Sequence, residues 1–181
     1  MKLEKIKGFL SLSRLTNCFI SFFSVLIIVL FISRISDVSI LSILFKTILG
    51  ALSVFLITAG GNAVNDYYDI KTDKINKPDR PIPSKIITKK EALYFTSIVF
   101  FIGLVFSFFV NTYAFFIALF NIFILIAYSK LKQKTLFGNF IVAYLCGSVF
   151  LYTGTILMIN FKLFIIFFLL AFLLMLGREI T

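Results

Sequence analysis

Long apolar runs, divided by short polar breaks, dominate this sequence and decide which solvent it can fold in. Leu15 to Ser33 is the first run, closed by the polar break Arg34 to Asp37. Val38 to about Asn62 is the second, with Lys46 able to snorkel toward the surface. After a polar stretch from Asn65 to Lys90, the chain stays apolar for 37 residues, from Ala92 to Tyr128. A helix needs only about 20 residues to cross a bilayer, so this run predicts two spans that turn at Asn111-Thr112. Phe137 to Met158 and Phe161 to Leu176 complete the set, divided by Ile159-Asn160. The pattern predicts an all-α, polytopic transmembrane helix bundle with six spans. Composition excludes the alternatives. Charged residues are 14% of the chain, against about 25% for a soluble domain. The 25 Phe outnumber the 18 Lys and Arg together, which excludes a soluble globule or a disordered chain.

Strict alternation of six spans distributes the charges unevenly. One side receives Lys2, Lys5, Lys7 and Arg14, the lysine-rich 65–91 and 129–136 loops, and Arg178. Those segments carry 15 of the 18 cations, leaving Arg34, Lys46 and Lys162 opposite. By the positive-inside rule the rich face, with the N-terminus, is cytoplasmic in a multi-pass protein of the cell membrane. The net charge of +10 is therefore an expression of topology. Nucleic acid is not an expected partner, because the cations are spread over four segments without interleaved aromatics. Cys18 and Cys146 lack metal-site spacing and His is absent, so neither a zinc site nor a disulfide is expected. The first apolar run is long enough to remain as a span and has no signal-peptide cleavage site.

Seven of the eight acids fall on the same side, Asp37 being the exception. Four lie in GGNAVNDYYDIKTDKINKPDRPIPS, where Asn65, Asp66, Asp69 and Asp73 follow N-D-x-x-D-x-x-x-D. If the second helix continues through this segment, all four share one face. Carboxylates so stacked repel each other and call for a cation. Mg²⁺ suits them, since it takes one or two carboxylates, keeps waters and bridges to substrate phosphates. Arg80 then offers a bidentate fork to phosphate, with Lys71, Lys74 and Lys77 as point charges. The substrate expected is phosphorylated and lipid-tailed. A solvated helix end with Asp–Lys pairs is the plainer alternative. Pro78, Pro81 and Pro83 predict an extended segment, either a flap over a cytoplasm-facing cavity or an ordinary loop. Tyr128 and Lys132, one helical turn apart in YSKLK, could stabilise a departing phosphate and a developing cation. The alternative for Tyr128 is an interfacial aromatic followed by lysines. Arg14, Asn17 and Asn121 are polar at or near lipid depth and are expected to face the bundle interior. Gly138, Gly147 and Gly154 form a small-residue stripe suited to packing.

The segment Asn65 to Asp73, followed by INKPDRPIPS, resembles the first aspartate-rich motif of the UbiA superfamily of intramembrane prenyltransferases. YSKLK is similar to that family's YxxxK element, and SRLTN at Ser13 to Asn17 to its helix-one signature. GNAVNDYYDIKTDKINKPDRPIPSKIIT together with GNFIVAYLCGSVF resembles the archaeal ether-lipid branch most closely. The resemblance implies that Asn65, Asp69 and Asp73, with Asp66 alongside, hold Mg²⁺ and a prenyl diphosphate. It implies diphosphate and cation-stabilising roles for Lys132 and Tyr128, and further diphosphate contacts from Arg14 and Arg80. The implied reaction transfers a geranylgeranyl group from geranylgeranyl diphosphate to the hydroxyl of geranylgeranylglyceryl phosphate, releasing diphosphate. Prenylation of an aromatic quinone precursor is the nearest alternative. A non-catalytic transporter or lipid-binding subunit is the alternative of another class. A transporter, however, would place ionisable groups at the membrane midplane and show an internal repeat.

The family has about nine helices and a second aspartate-rich motif in the loop after the sixth. Gly177 to Thr181 stands where that motif would begin, with Glu179 flanking it. Residues 1–181 are thus expected to be one transmembrane prenyltransferase domain, truncated before the second motif and inactive alone. Sequence continuing past Thr181 is predicted to hold a D-x-x-x-D-like carboxylate cluster in the next loop and about three further spans. Reading the gene onward checks this, and a stop codon there with no such cluster would sink the expectation of an active enzyme.

Overall fold

A computed structural model describes residues 2–36, 38–131 and 138–180. Among these residues every regular element is a helix, as expected where lipid cannot satisfy an exposed backbone. In chain order they are α1 (Lys2–Ser13), α2 (Leu15–Ile35), α3 (Ile40–Tyr68), α4 (Ile70–Asn76), α5 (Lys89–Val110), α6 (Thr112–Leu131), α7 (Gly138–Leu157) and α8 (Phe161–Ile180). Six of them, α2, α3, α5, α6, α7 and α8, are long and apolar enough to cross a membrane. This is the multi-pass bundle that the apolar runs predict. Asp37, Lys132, Lys134 and the Phe137 start of the fifth span lie outside the described residues.

The divisions between spans have local causes. Asn111 ends α5 with an extended backbone, and its side-chain oxygen accepts from the Ala114 N–H at 2.8 Å to start α6. Its amide Nδ2 also donates to the Thr155 carbonyl of α7 at 2.7 Å, so the turn is tied to a third helix. Thr88 and Glu91 cap the start of α5 reciprocally, as T-x-x-E favours. At about 1.5 Å per residue the 29 residues of α3 reach about 43 Å, against about 30 Å of hydrocarbon. The excess length carries Asn65 and Asp66 to the lysine-rich side of the bundle.

α3 is the central helix. It approaches α5 closely through small residues: a Cβ on Gly60 would lie 2.4 Å from the Phe100 ring, and one on Gly103 3.0 Å from Ile57. At this seam the Ser53 hydroxyl donates to the Gly103 carbonyl at 2.7 Å. Ser107 shares hydrogen bonds with Ser53 and with the Tyr152 hydroxyl of α7. The main apolar core runs through Val29, Ile57, Val64, Phe100, Ala118 and Ile156. Phe23, Phe101 and Phe123 are more than half exposed and face outward, where lipid would cover them. The glycine stripe of α7 packs against α8, Gly147 on Phe168 and Gly154 on Phe164, and serves the packing expected of it.

One local expectation is corrected and one element is added. Residues before Arg14 form α1, which buries Leu12 and stacks Phe9 on Phe95. The proline segment is not extended but folds as successive turns, with Arg80 N–H to the Lys77 carbonyl, Ser84 N–H to that of Arg80 and Ile87 N–H to that of Pro81. Burial of Ile82 and Ile87 against Leu12, Ala63 and Ile70 draws it inward.

Replacing Gly60 by Leu is expected to destabilise the bundle by about 1–3 kcal/mol through overpacking against Phe100. Thermal unfolding in detergent measures this. Gly177→Ala, where an added Cβ meets nothing within 4 Å, is expected to leave the transition in place.

Candidate functional site

Helical hydrogen bonding continues across the end of α3. Asp69 N–H bonds to the Asn65 carbonyl at 3.0 Å, and Asp73 N–H to the Asp69 carbonyl at 2.8 Å. Asp69 itself is the joint between α3 and α4, with φ −81° and ψ 1°. The polar motif therefore lies along nearly continuous helix, as its spacing predicts, but its four side chains do not form one uniform face. They divide into two pairs. Asn65 Nδ2 donates to Asp69 Oδ2 at 3.3 Å, and both residues are partly exposed. Asp66 and Asp73 are buried instead, at 4% and 6% exposure.

Guanidinium groups offset that burial. Arg80 Nη1 donates to Asp66 Oδ1 at 3.1 Å and to Asp73 Oδ2 at 2.6 Å. Arg14 Nη2 donates to the same Asp66 oxygen at 2.6 Å. The proline turns and the apolar cluster of Leu12, Ile70, Ile82 and Ile87 bring Arg80 over the two carboxylates. Arg14 arrives by another route. It separates α1 from α2 in the left-handed conformation, φ 50° and ψ 66°, which costs an L residue about 1–2 kcal/mol. Asn62 steadies this break by donating Nδ2 to the Ser13 carbonyl at 2.8 Å.

A cavity of about 660 Å³ opens among α2, α3, α6 and α7 beside the motif. Arg14, Asn62, Asn65 and Tyr128 line one end. Ile57, Leu125 and Val149 contribute apolar wall, and Tyr152 also lines it. Arg14, Asn17 and Asn121 all face this space, as their depth predicts. Tyr128 lines the cavity and so points into the bundle, not only along the interface. Lys132 lies outside the described residues. Asp66, Asp69, Asp73 and Arg80 do not line the cavity; the motif touches it through Asn65.

Sequence reasoning missed the hydroxyl and amide pairs of the wall. Ser21 and Thr58 share a hydrogen bond at 3.0 Å, and Asn121 Nδ2 donates to Ser148 Oγ at 3.0 Å. A polar residue interrupting an apolar run is their only sequence signal. A second depression, about 670 Å³, follows one face of α2 alone, along Leu15, Phe19, Phe23 and Ile27. Its Phe19, Ile20, Phe23 and Ile27 side chains are exposed on the outside of the bundle.

Asn65 and Asp69 offer hard oxygen donors one helical turn apart, a set that fits Mg²⁺ completed by water and phosphate oxygens. Among the described residues, no three acidic or cysteine side chains gather as a metal-holding group.

Residues 19–181 match the UbiA prenyltransferase family. The chain belongs to that family. Among curated relatives, digeranylgeranylglyceryl phosphate synthase of Methanococcoides burtonii is 46% identical over 156 residues, covering 83% of this chain and 55% of the relative. The synthase of the same name from Methanococcus maripaludis is 42% identical over 176 residues, covering 97% of this chain and 61% of the relative. A solved structure concerned with digeranylgeranylglyceryl phosphate synthase in membranes superimposes with a TM-score of 0.86 at 42% identity. The match covers 98% of this chain and 62% of that one. This UbiA-family chain thus spans just over half the length of these relatives.

Among the described residues, Arg80 bridges the two buried carboxylates Asp66 and Asp73. Arg80→Gln is expected to destabilise the fold by about 3–5 kcal/mol, because it leaves buried charge under-compensated. Adding Asp73→Asn should recover part of that loss. Chemical denaturation of the single and double variants in detergent measures both effects.

Proposed function

We propose that this chain supplies the donor-binding part of a Mg²⁺-dependent prenyltransferase of ether-lipid synthesis. The donor is geranylgeranyl diphosphate and the acceptor the free hydroxyl of geranylgeranylglyceryl phosphate. The observation that carries this reading is the asymmetry of the cavity. Arg14 and the amides Asn62 and Asn65 stand at one end, and a largely apolar chamber inside the bundle adjoins them. A prenyl diphosphate has the same asymmetry. The names of the relatives, digeranylgeranylglyceryl phosphate synthase, support the choice of donor and acceptor.

In this proposal Asn65 and Asp69 hold Mg²⁺, with Asp73 and Asp66 completing the charge balance around it. A metal held there would supply positive charge against the diphosphate leaving group. Arg14 and Arg80 direct guanidinium hydrogens at phosphate oxygens, and Lys132 adds a further cation. Tyr128 presents its ring toward the carbon from which the diphosphate leaves, where positive charge develops. The apolar wall shields that carbon from water, so the acceptor hydroxyl captures it. One C–O bond to diphosphate breaks and one ether C–O bond forms, and the hydroxyl proton is released. The motif lies on the cytoplasmic face, following the cation asymmetry.

Geranylgeranyl thiolodiphosphate, which resists ionisation, should bind this chain in lipid nanodiscs only when Mg²⁺ is present. Asp69→Asn should weaken that binding about tenfold or more, as expected for losing one charge-assisted contact. In a chain carrying the remaining length of its relatives, Asp69→Asn or Asp73→Asn should abolish Mg²⁺-dependent release of diphosphate. Binding indifferent to Mg²⁺ and to Asp69→Asn would overturn the proposal.

A further inference from the structure

Asp66 is the carboxylate of its motif that receives two guanidinium groups. Only 4% of it is exposed, whereas Asn65 and Asp69 are partly exposed. A single oxygen, Oδ1, receives both Arg14 Nη2 at 2.6 Å and Arg80 Nη1 at 3.1 Å. Those arginines come from opposite directions in the chain, one 52 residues before Asp66 and the other 14 after. Arg14 also carries the left-handed backbone that separates α1 from α2. Strained backbone at a non-glycine residue persists when the surroundings over-determine it, and it concentrates at functional sites. Here the strain turns the Arg14 side chain inward, to the cavity end that Asn65 also lines.

A guanidinium has five donors, and the contacts to Asp66 and Asp73 use one nitrogen of each arginine. The remaining donors can meet an anion while Asp66 fixes the direction of the fork. A carboxylate already receiving two guanidinium groups and almost wholly buried is poorly disposed to ligate a metal. We propose that Asp66 is a positioning residue: it holds Arg14 and Arg80 as a two-armed clamp for the diphosphate and is not itself a ligand of the metal. This rests on the prenyl-diphosphate reading for the identity of the anion, but the clamp can be tested without it.

Two measurements on the chain in nanodiscs separate the roles. The first is modification by phenylglyoxal, followed residue by residue with mass spectrometry. The chain has four arginines, and the exposed Arg34 and Arg178 serve as internal references. Asp66→Asn should accelerate modification of Arg14 relative to those references, and that of Arg80 less, because Asp73 still holds it at 2.6 Å; Asp66→Glu should restore part of the protection, and Asp69→Asn should leave it unchanged. The second is binding of geranylgeranyl thiolodiphosphate across a Mg²⁺ titration. Asp66→Asn should weaken the analogue about tenfold without moving the Mg²⁺ midpoint, whereas Asp69→Asn should move the midpoint. Arg14→Gln, which leaves Asp66 paired with Arg80, should reproduce the loss of affinity, and adding Asp66→Asn to it should cost less than Asp66→Asn costs alone.

Unchanged arginine reactivity in Asp66→Asn would overturn the proposal, as would a Mg²⁺ midpoint shifted as far as in Asp69→Asn. If Asp66→Asn unfolds the chain, Asp66→Glu and Arg14→Gln decide by the same two readouts. If the wild-type chain fails to bind the analogue while Asp66→Asn still exposes Arg14, the clamp stands and the prenyl-diphosphate reading fails.

Discussion

Lipid offers no hydrogen bonds, and that constraint governs the structure at every level. It requires each backbone group to find a partner within its own helix, which is why the described elements are helices. It also favours a partner within the bundle for polar side chains at depth, although Thr96 Oγ1 and Asn121 Oδ1 are buried without one among the described residues. Ser53, Ser107 and Tyr152 satisfy one another, and Asn121 donates to Ser148. Asn111 does both jobs at once, starting α6 and tying the turn to α7. A bundle built under this rule has few places where charge can accumulate. The end of α3 is one, because the helix is too long for the hydrocarbon and emerges among lysines.

Charge at that end is arranged in two layers. The deeper layer is the buried pair Asp66 and Asp73 with the guanidinium groups of Arg14 and Arg80. The shallower layer is Asn65 and Asp69, partly exposed and joined by a hydrogen bond. Burial of the deep carboxylates is costly unless they are paired, so it constrains where both arginines can stand. α1 and the proline turns owe part of their positions to this. Each delivers one arginine while packing apolar residues into a shared cluster around Ile70 and Ile87. The same apolar packing that shapes the cap thereby organises the electrostatics of the cavity end.

Much of the fold was legible because helix spans announce themselves by local composition. Leu15, Phe161 and the Asn111-Thr112 division all coincide with the helix limits that the hydropathy pattern predicts. The polar motif was legible too, since its spacing along a helix is a local property. The partner choices were not. Arg14 and Asp66 are 52 residues apart, and the charge pattern alone gives Asp66 a nearer choice among many lysines. Nor was α1 visible, since its apolar residues are few and become significant only where Phe9 and Leu12 meet Phe95 and Ile87.

The sequence by itself determined the solvent, the six spans, the uneven distribution of cations and the helical register of the Asn65–Asp73 motif. These follow from side-chain transfer energies and the helical period, which act over neighbouring residues. Only the tertiary structure decided that the motif divides into an arginine-paired, buried half and a partly exposed half. It also decided that Tyr128, Asn121 and Asn65 face one cavity and that the prolines turn instead of extending. Those outcomes depend on which distant groups relieve the cost of burying a charge, and that is decided only when the helices meet.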